Sequence, residues 1–238
     1  MSFVTALVFS RFKHIFRMKQ LTAFITCSDI YMGPALVKKF IDLGFHVVRH
    51  KSTELSEHDI NQLVSSAGDI HLLIANFAEL PMPSSVSDIN TEDWGHLFNT
   101  LVHPLMFFVR AVTPQMLQRK SGKIIAITSA APLRGIPNNS AYCSARGAQN
   151  SFIKAVGSEL ARENIQVNAI AQNYIKNSIY YPDAFISTEK FRDHVKRNVP
   201  TQVVGSAEET AELAAYLANE DCKHIVGQII PLSGGWVT

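Results

Sequence analysis

From Leu21 onward the chain alternates short apolar, β-rich runs with longer stretches of helical period. That alternation is the strongest constraint on its fold, because strands separated by helices pair in parallel and need helices on both faces. The reading places strands at 21–26, 45–50, 70–75, 123–128, 166–171 and 228–232. Helices fall at 32–43, 57–66, 91–119, 140–162, 188–198 and 206–219, with Pro104 and Pro114 expected to kink or end the longest of them. No repeat or low-complexity tract interrupts the series, so one α/β unit, a Rossmann-like doubly wound parallel sheet, accounts for residues 21–238. With 238 residues, 47% of them hydrophobic, such a core can be filled.

Residues 1–20 read as an extension outside that fold. Their apolar part, Phe3 to Phe9, is shorter than a membrane-spanning helix requires, and no basic region precedes it as in a secretory signal. A net charge of +2 without a long basic run argues against nucleic acid as partner. Three cysteines, odd in number and without paired spacing, fit neither a disulfide framework nor a zinc site, and a reducing cytoplasm suits them. Nine histidines form no ligand cluster, so no metal is expected.

The chemistry is concentrated between Ser129 and Arg146. Ser129 stands where the fourth strand leaves the sheet. Ser140 reads as the N-cap of the following helix, and Tyr142 and Arg146 lie one turn apart on its face. A hydroxyl from a strand end, a phenol and a permanent cation together suit proton transfer at an oxygen. An ordinary i,i+4 surface pair would explain Tyr142 and Arg146 but leaves Ser129 unexplained.

A strand-end serine followed by Tyr-x-x-x-basic on a helix resembles the short-chain dehydrogenase/reductase superfamily, and the likeness runs from Leu21 to Trp236. Asn76-Phe77-Ala78, Trp94, Asn168 and Ser233-Gly234-Gly235 are further marks of it. Four departures fall where such a reductase would hold its nicotinamide cofactor. The first turn reads Thr26-Cys27-Ser28-Asp29-Ile30-Tyr31-Met32-Gly33, with Cys27 and Tyr31 at positions the family fills with glycine. Arg146 replaces lysine, keeping the charge in a planar fork. Leu101 stands where the relay asparagine is usual, and Gln172-Asn173-Tyr174-Ile175 replaces the loop that contacts the cofactor.

Together these features resemble the halohydrin dehalogenases, relatives that exchanged the cofactor pocket for a halide site. The resemblance implies a vicinal haloalcohol as substrate and an epoxide plus halide as products, with no cofactor and with small anions opening epoxides in reverse. It assigns Ser129, Tyr142 and Arg146 to catalysis, with Arg146 favouring the charged form of the phenol. It assigns Tyr31 and the backbone N–H groups of Asn173, Tyr174 and Ile175 to the halide, and Phe77, Pro132, Leu133 and Asn139, with the irregular stretch from Ser178 to Phe185, to the substrate walls. It also implies a homotetramer paired through the long helices. Two other classes remain open at this stage. One is a reductase holding NADP through Arg49 and Lys51; the other is a non-catalytic binding protein in which the three residues are a relic.

Overall fold

The computed structural model describes residues 20–51 and 56–238. The expected N-terminal extension lies outside them except for Gln20. Six strands form one parallel sheet: β1 (Thr22–Ile25), β2 (His46–Arg49), β3 (Leu72–Asn76), β4 (Gly122–Ser129), β5 (Ile165–Gln172) and β6 (Ile229–Leu232). Their order is β2-β1-β3-β4-β5-β6. The chain steps outward from β1 to β2 and then returns past β1 to β3, so a crevice opens between the carboxyl ends of β1 and β3.

Both faces of the sheet are covered, which is why its central strands β1, β3 and β4 read as largely continuous apolar runs, while β5 buries Gln166, Asn168 and Gln172 among its apolar residues. Side chains of successive residues nevertheless go to opposite faces. Phe24, Leu73, Ile124 and Ala126 join one core cluster, together with Phe108 and Ile153. Ile25, Leu72, Ile74, Ile125 and Ile127 join the other, with Leu36, Phe40 and Leu217. Each fully buried Phe or Ile in these layers contributes about 1.5–3 kcal/mol relative to exposure.

The first face carries α2 (Glu57–Ser66), α3 (Thr91–Leu97), α4 (His103–Arg119) and α6 (Ser140–Leu160), while α1 (Gly33–Asp42) and α9 (Ala207–Ala218) cover the second. The expected helix over 91–119 runs without a gap, but Phe98–Val102 forms a π turn just ahead of Pro104. Proline lacks the N–H and its ring crowds the carbonyl four residues back, and the wider turn absorbs both effects. Pro114 lies inside α4 without ending it.

Two details differ from the sequence reading. The N-cap of α6 is Asn139 rather than Ser140, and its side chain makes no capping bond. The stretch read as irregular, 172–187, contains a parallel bridge from Ile175 to Gly205 and a short helix, α7 (Asp183–Ile186). A further short helix, α5 (Ala131–Arg134), follows β4, and α8 (Glu189–Asn198) precedes α9. No helix among the described residues is long and apolar enough to cross a membrane.

The tightest approach of a glycine to neighbouring backbone falls beside the crevice. A Cβ on Gly33 would lie 2.4 Å from the Cys27 carbonyl oxygen and 2.5 Å from the Ser28 carbonyl carbon. Both are backbone atoms that cannot step aside, so Gly33 fixes how closely α1 approaches the turn after β1. Gly33→Ala is expected to lower unfolding free energy by about 1–3 kcal/mol, the usual cost of overpacking. Denaturant titration at unchanged m-value checks this.

Candidate active site

Ser129 ends β4 in register with Gln172, the last residue of β5. The pairing brings the serine hydroxyl and the start of the loop after β5 to the same end of the sheet. Ser129 Oγ accepts a hydrogen bond from Ala131 N at 3.1 Å, which leaves its own proton free to donate. Asn150 Nδ2 holds the Ser129 carbonyl at 3.3 Å.

Tyr142 and Arg146 lie one turn apart on the buried face of α6. Arg146 has no exposed surface at all. Its Nε donates to Tyr142 Oη at 3.1 Å and its Nη2 to Tyr180 Oη at 2.8 Å. Nη1 donates inward, to the Phe77 carbonyl at 3.1 Å and to Gln149 Oε1 at 2.9 Å. Gln149 is itself fixed by donating to the Leu101 carbonyl at 2.7 Å. Every partner is a neutral oxygen, and among the described residues no carboxylate pairs with this guanidinium. Burial alone would make it give up its proton more readily. The oxygens of Tyr142, Tyr180 and Tyr31 more than offset that and hold its pKa above the ordinary arginine value.

A cavity of about 130 Å³ opens beside these groups. Ser129, Tyr142, Tyr31, Asn139, Asn173 and Ile175 all line it. The structure thus brings together the predicted serine and phenol with four of the expected wall and anion residues, and Arg146 backs the phenol from inside.

The turn after β1 explains how Tyr31 reaches the cavity. Cys27 has φ +44° and Tyr31 φ +56°, left-handed backbone that favours glycine. The turn therefore keeps a glycine-type path while carrying two side chains, at a strain of order 1–3 kcal/mol each. Asn76 Nδ2 pins it by donating to the Cys27 carbonyl at 3.0 Å. The Cys27 thiol is fully buried, and burial together with Asp29 pushes its pKa up to about 12. Tyr31 Oη accepts from Gln172 Nε2 at 2.7 Å, and Gln172 Oε1 accepts from Thr210 Oγ1 at 3.0 Å. Burial raises the Tyr31 pKa, so it stays a neutral phenol. These residues do not fit a dinucleotide. The Tyr31 ring lines the cavity beside the turn, Cys27 puts a buried side chain at its other left-handed residue, and the Asp29 carboxylate sits 3.7 Å from the Lys51 ammonium that a 2′-phosphate would need.

Four assignments made from the sequence are corrected by side-chain direction. Tyr174 does not line the cavity. Its ring stacks on Tyr181 at 5.7 Å, and its hydroxyl pairs with His194 Nε2 at 2.9 Å, within a separate aromatic cluster. Asn173, Ile175 and Asn177 face the cavity, while Tyr174 and Lys176 face away. Phe77 points into the core against Phe108, and only its carbonyl serves the site, as acceptor for Arg146. On the single turn of α5 it is Ala131 that faces the cavity, not Pro132 or Leu133, and Leu133 is exposed.

The backbone donors proposed for an anion are likewise reduced. Asn173 N donates to Leu232 O at 3.1 Å and Tyr174 N to Asn173 Oδ1 at 2.9 Å. Ile175 N has no acceptor among the described residues, and neither has Asn173 Nδ2.

Sequence reasoning missed Gln172 and Asn177, both of which line the cavity, whereas Tyr180 and Tyr181 come from the 178–185 stretch expected to contribute its walls. Gln172 was recoverable from the pairing of two equally long strands; within 178–185 nothing in the sequence singled out the tyrosine pair. Among the described residues no group of acidic, histidine or cysteine side chains could hold a metal ion.

A doubly wound sheet with serine, tyrosine and a cation at its carboxyl edge defines a member of the short-chain dehydrogenase/reductase superfamily. Within it, residues 50–237 match the family described as Enoyl-(Acyl carrier protein) reductase, and the chain belongs to that family. The 3-oxoacyl-[acyl-carrier-protein] reductase FabG of Chlamydia trachomatis serovar D is 27% identical over 197 residues, 81% of this chain and 76% of that protein. The protein of the same description from Staphylococcus epidermidis is 28% identical over 185 residues, 78% and 73% of the two chains. Among solved structures, a dehalogenation enzyme superposes with a TM-score of 0.86 at 26% identity, covering 92% of this chain and 99% of its own. The halohydrin dehalogenase HheC bound to ethyl (2S)-oxiran-2-ylacetate gives 0.85 at 26%, covering 91% and 97%. ElxO with NADP bound, at 21% identity and a TM-score of 0.83, shares the fold.

Arg146→Lys retains a charge but cannot reach four oxygens in the plane of one fork. It is expected to destabilise the fold by about 1–3 kcal/mol through the buried acceptors it leaves unpaired. Thermal and denaturant unfolding of the variant measure that loss.

Proposed function

We propose that the chain is a halohydrin dehalogenase, converting a vicinal haloalcohol into an epoxide and halide. The observation that carries this reading is a buried, carboxylate-free guanidinium on Tyr142, in a cavity whose cofactor side is filled by Tyr31. Both solved structures at 26% identity bear names of dehalogenating enzymes, one of them bound to an epoxide, and they support the same conclusion.

The site residues would act as follows. Ser129 Oγ–H donates to the substrate oxygen, its lone pair already occupied by Ala131 N. Tyr142 as phenolate takes the hydroxyl proton, with Arg146 as counter-ion. The alkoxide attacks the neighbouring carbon, the carbon–halogen bond breaks, and halide departs with the bonding pair. Ile175 N–H and Asn173 Nδ2–H are the unspent donors that receive it, with Tyr31 forming the wall. Asn139 closes the substrate side. No electron or hydride moves.

The family description and the names of the curated relatives favour a second reading, carbonyl reduction with a nicotinamide dinucleotide. The filled turn and the Asp29–Lys51 pair weigh against it.

Two measurements decide between them. Halide release from a small bromoalcohol is expected for the intact protein, falling by about 10²–10⁴-fold in Tyr142→Phe, the usual contribution of a positioned proton-transfer group. Titration with NADPH is expected to show no saturable binding at micromolar concentration. Saturable NADPH binding coupled to reduction of a ketone, with no halide released, would overturn the dehalogenase reading.

A further inference from the structure

The fork of Arg146 has an inner and an outer side. Nη1 turns inward to Phe77 O and Gln149 Oε1. Nε and Nη2 form the outer edge, the one that takes both oxygens of a carboxylate in a bidentate ion pair. Here that edge takes two phenol oxygens instead, Tyr142 Oη at 3.1 Å and Tyr180 Oη at 2.8 Å. The two oxygens are 3.3 Å apart, with Tyr142 the donor between them.

Tyr180 is brought there deliberately by its loop. Asn177 Oδ1 accepts from Tyr180 N at 2.7 Å and from Ile179 N at 2.9 Å, while Asn177 Nδ2 donates to Ile175 O at 2.7 Å. This side-chain-built turn lifts the tyrosine back over the cavity. Its ring meets Tyr31 edge-on at 5.4 Å. Its hydroxyl accepts from Glu79 N at 3.1 Å and donates to Glu79 O at 2.6 Å. One oxygen therefore ties α6, the loop after β3 and the loop after β5 together.

That arrangement has a built-in response to loss of the Tyr142 proton. While Tyr142 is neutral, its hydrogen fills the contact with Tyr180. Once it is gone, the contact would be oxygen against oxygen unless Tyr180 supplies the hydrogen by rotating its O–H away from Glu79 O.

We propose that Tyr180 is a positioning residue for Tyr142: the two phenols and Arg146 form a seat for one negative charge, which Tyr180 stabilises by turning its O–H onto the Tyr142 phenolate. The inference rests on Tyr142 acting as the base. Burial raises the pKa of Tyr180 well above that of a free phenol, so it remains a donor while its neighbour is charged. The other titratable groups around the pair do not compete for the role. Tyr31 and Tyr181 are also held neutral by burial, and the Glu79 carboxylate is turned to His96 at 3.0 Å and to Leu80 N at 2.9 Å.

The test follows phenolate formation by ultraviolet absorbance across a pH titration, beside the pH dependence of kcat. The absorbance step lost in Tyr142→Phe identifies that phenol. In Tyr180→Phe the same step is expected at least about one pH unit higher, the shift that follows when an anion loses one charge-assisted donor. The rise of kcat with pH should move with it while KM changes little. Placing 3-fluorotyrosine at position 180, the same shape with a more acidic hydroxyl, should move both in the opposite direction. It also decides the matter if Tyr180→Phe does not fold. An absorbance step unmoved in folded Tyr180→Phe, or unmoved by the fluorinated residue, overturns the proposal. Should no haloalcohol release halide, the absorbance titration still reports on Tyr180, so the two ideas fail separately.

Discussion

A buried positive charge surrounded by neutral oxygens is the constraint from which the rest of this site follows. Arg146 is stripped of water and receives hydrogen-bonding partners but no counter-ion among the described residues. Two unit charges about 4 Å apart attract by about 4 kcal/mol at an effective dielectric near 20. A neutral hydrogen bond contributes only about 0.5–1.5 kcal/mol net. Four hydrogen bonds make the guanidinium tolerable where it is; an anion beside it gives the larger gain. The site is therefore polarised towards whichever neighbouring group can become negative. The phenol of Tyr142 lies closest to that description on the cavity side, and an anion leaving a substrate enters the same field.

That field explains why the surrounding loops are built with so much polar detail. The backbone carbonyl of Phe77, the amide of Gln149 and the hydroxyl of Tyr180 come from three different elements, and Gln149 and Tyr180 are each held by a further bond. A cation without such fixtures would draw water or a surface carboxylate to itself. Aromatic rings on the outer side, Tyr31, Tyr180 and Tyr181, serve the same end by filling volume that solvent would otherwise take. They bring oxygen atoms with them, yet burial keeps Tyr31, Tyr180 and Tyr181 uncharged.

What could be read in the sequence divides along physical lines. The sheet and its helices were legible because burial on both faces writes long apolar runs, and the short helix read over 57–66 is α2 (Glu57–Ser66), which the structure shows capped by Ser56. Ser129, Tyr142 and Arg146 were legible because a strand end and one helical turn fix where side chains go. The loops were not. Tyr174 lies between two cavity-lining neighbours in left-handed backbone, φ +53°, and its N–H is spent on Asn173 Oδ1, local geometry that no residue pattern announces. Tyr180 depends on a turn made by Asn177 and a bridge to Gly205, neither of which leaves a periodic trace. The π turn before Pro104 was half legible: the proline marked the place but not the form of the break.

The left-handed backbone at Cys27 and Tyr31 says something about how such a site can arise. A chain path that glycine adopts most comfortably carries two full side chains here, with Asn76 clasping its carbonyls. What the turn accommodates can thus differ without a new main-chain route, through side chains alone. Ligand choice in this architecture is set by what fills the mould, and the mould itself is conserved by its own hydrogen bonds.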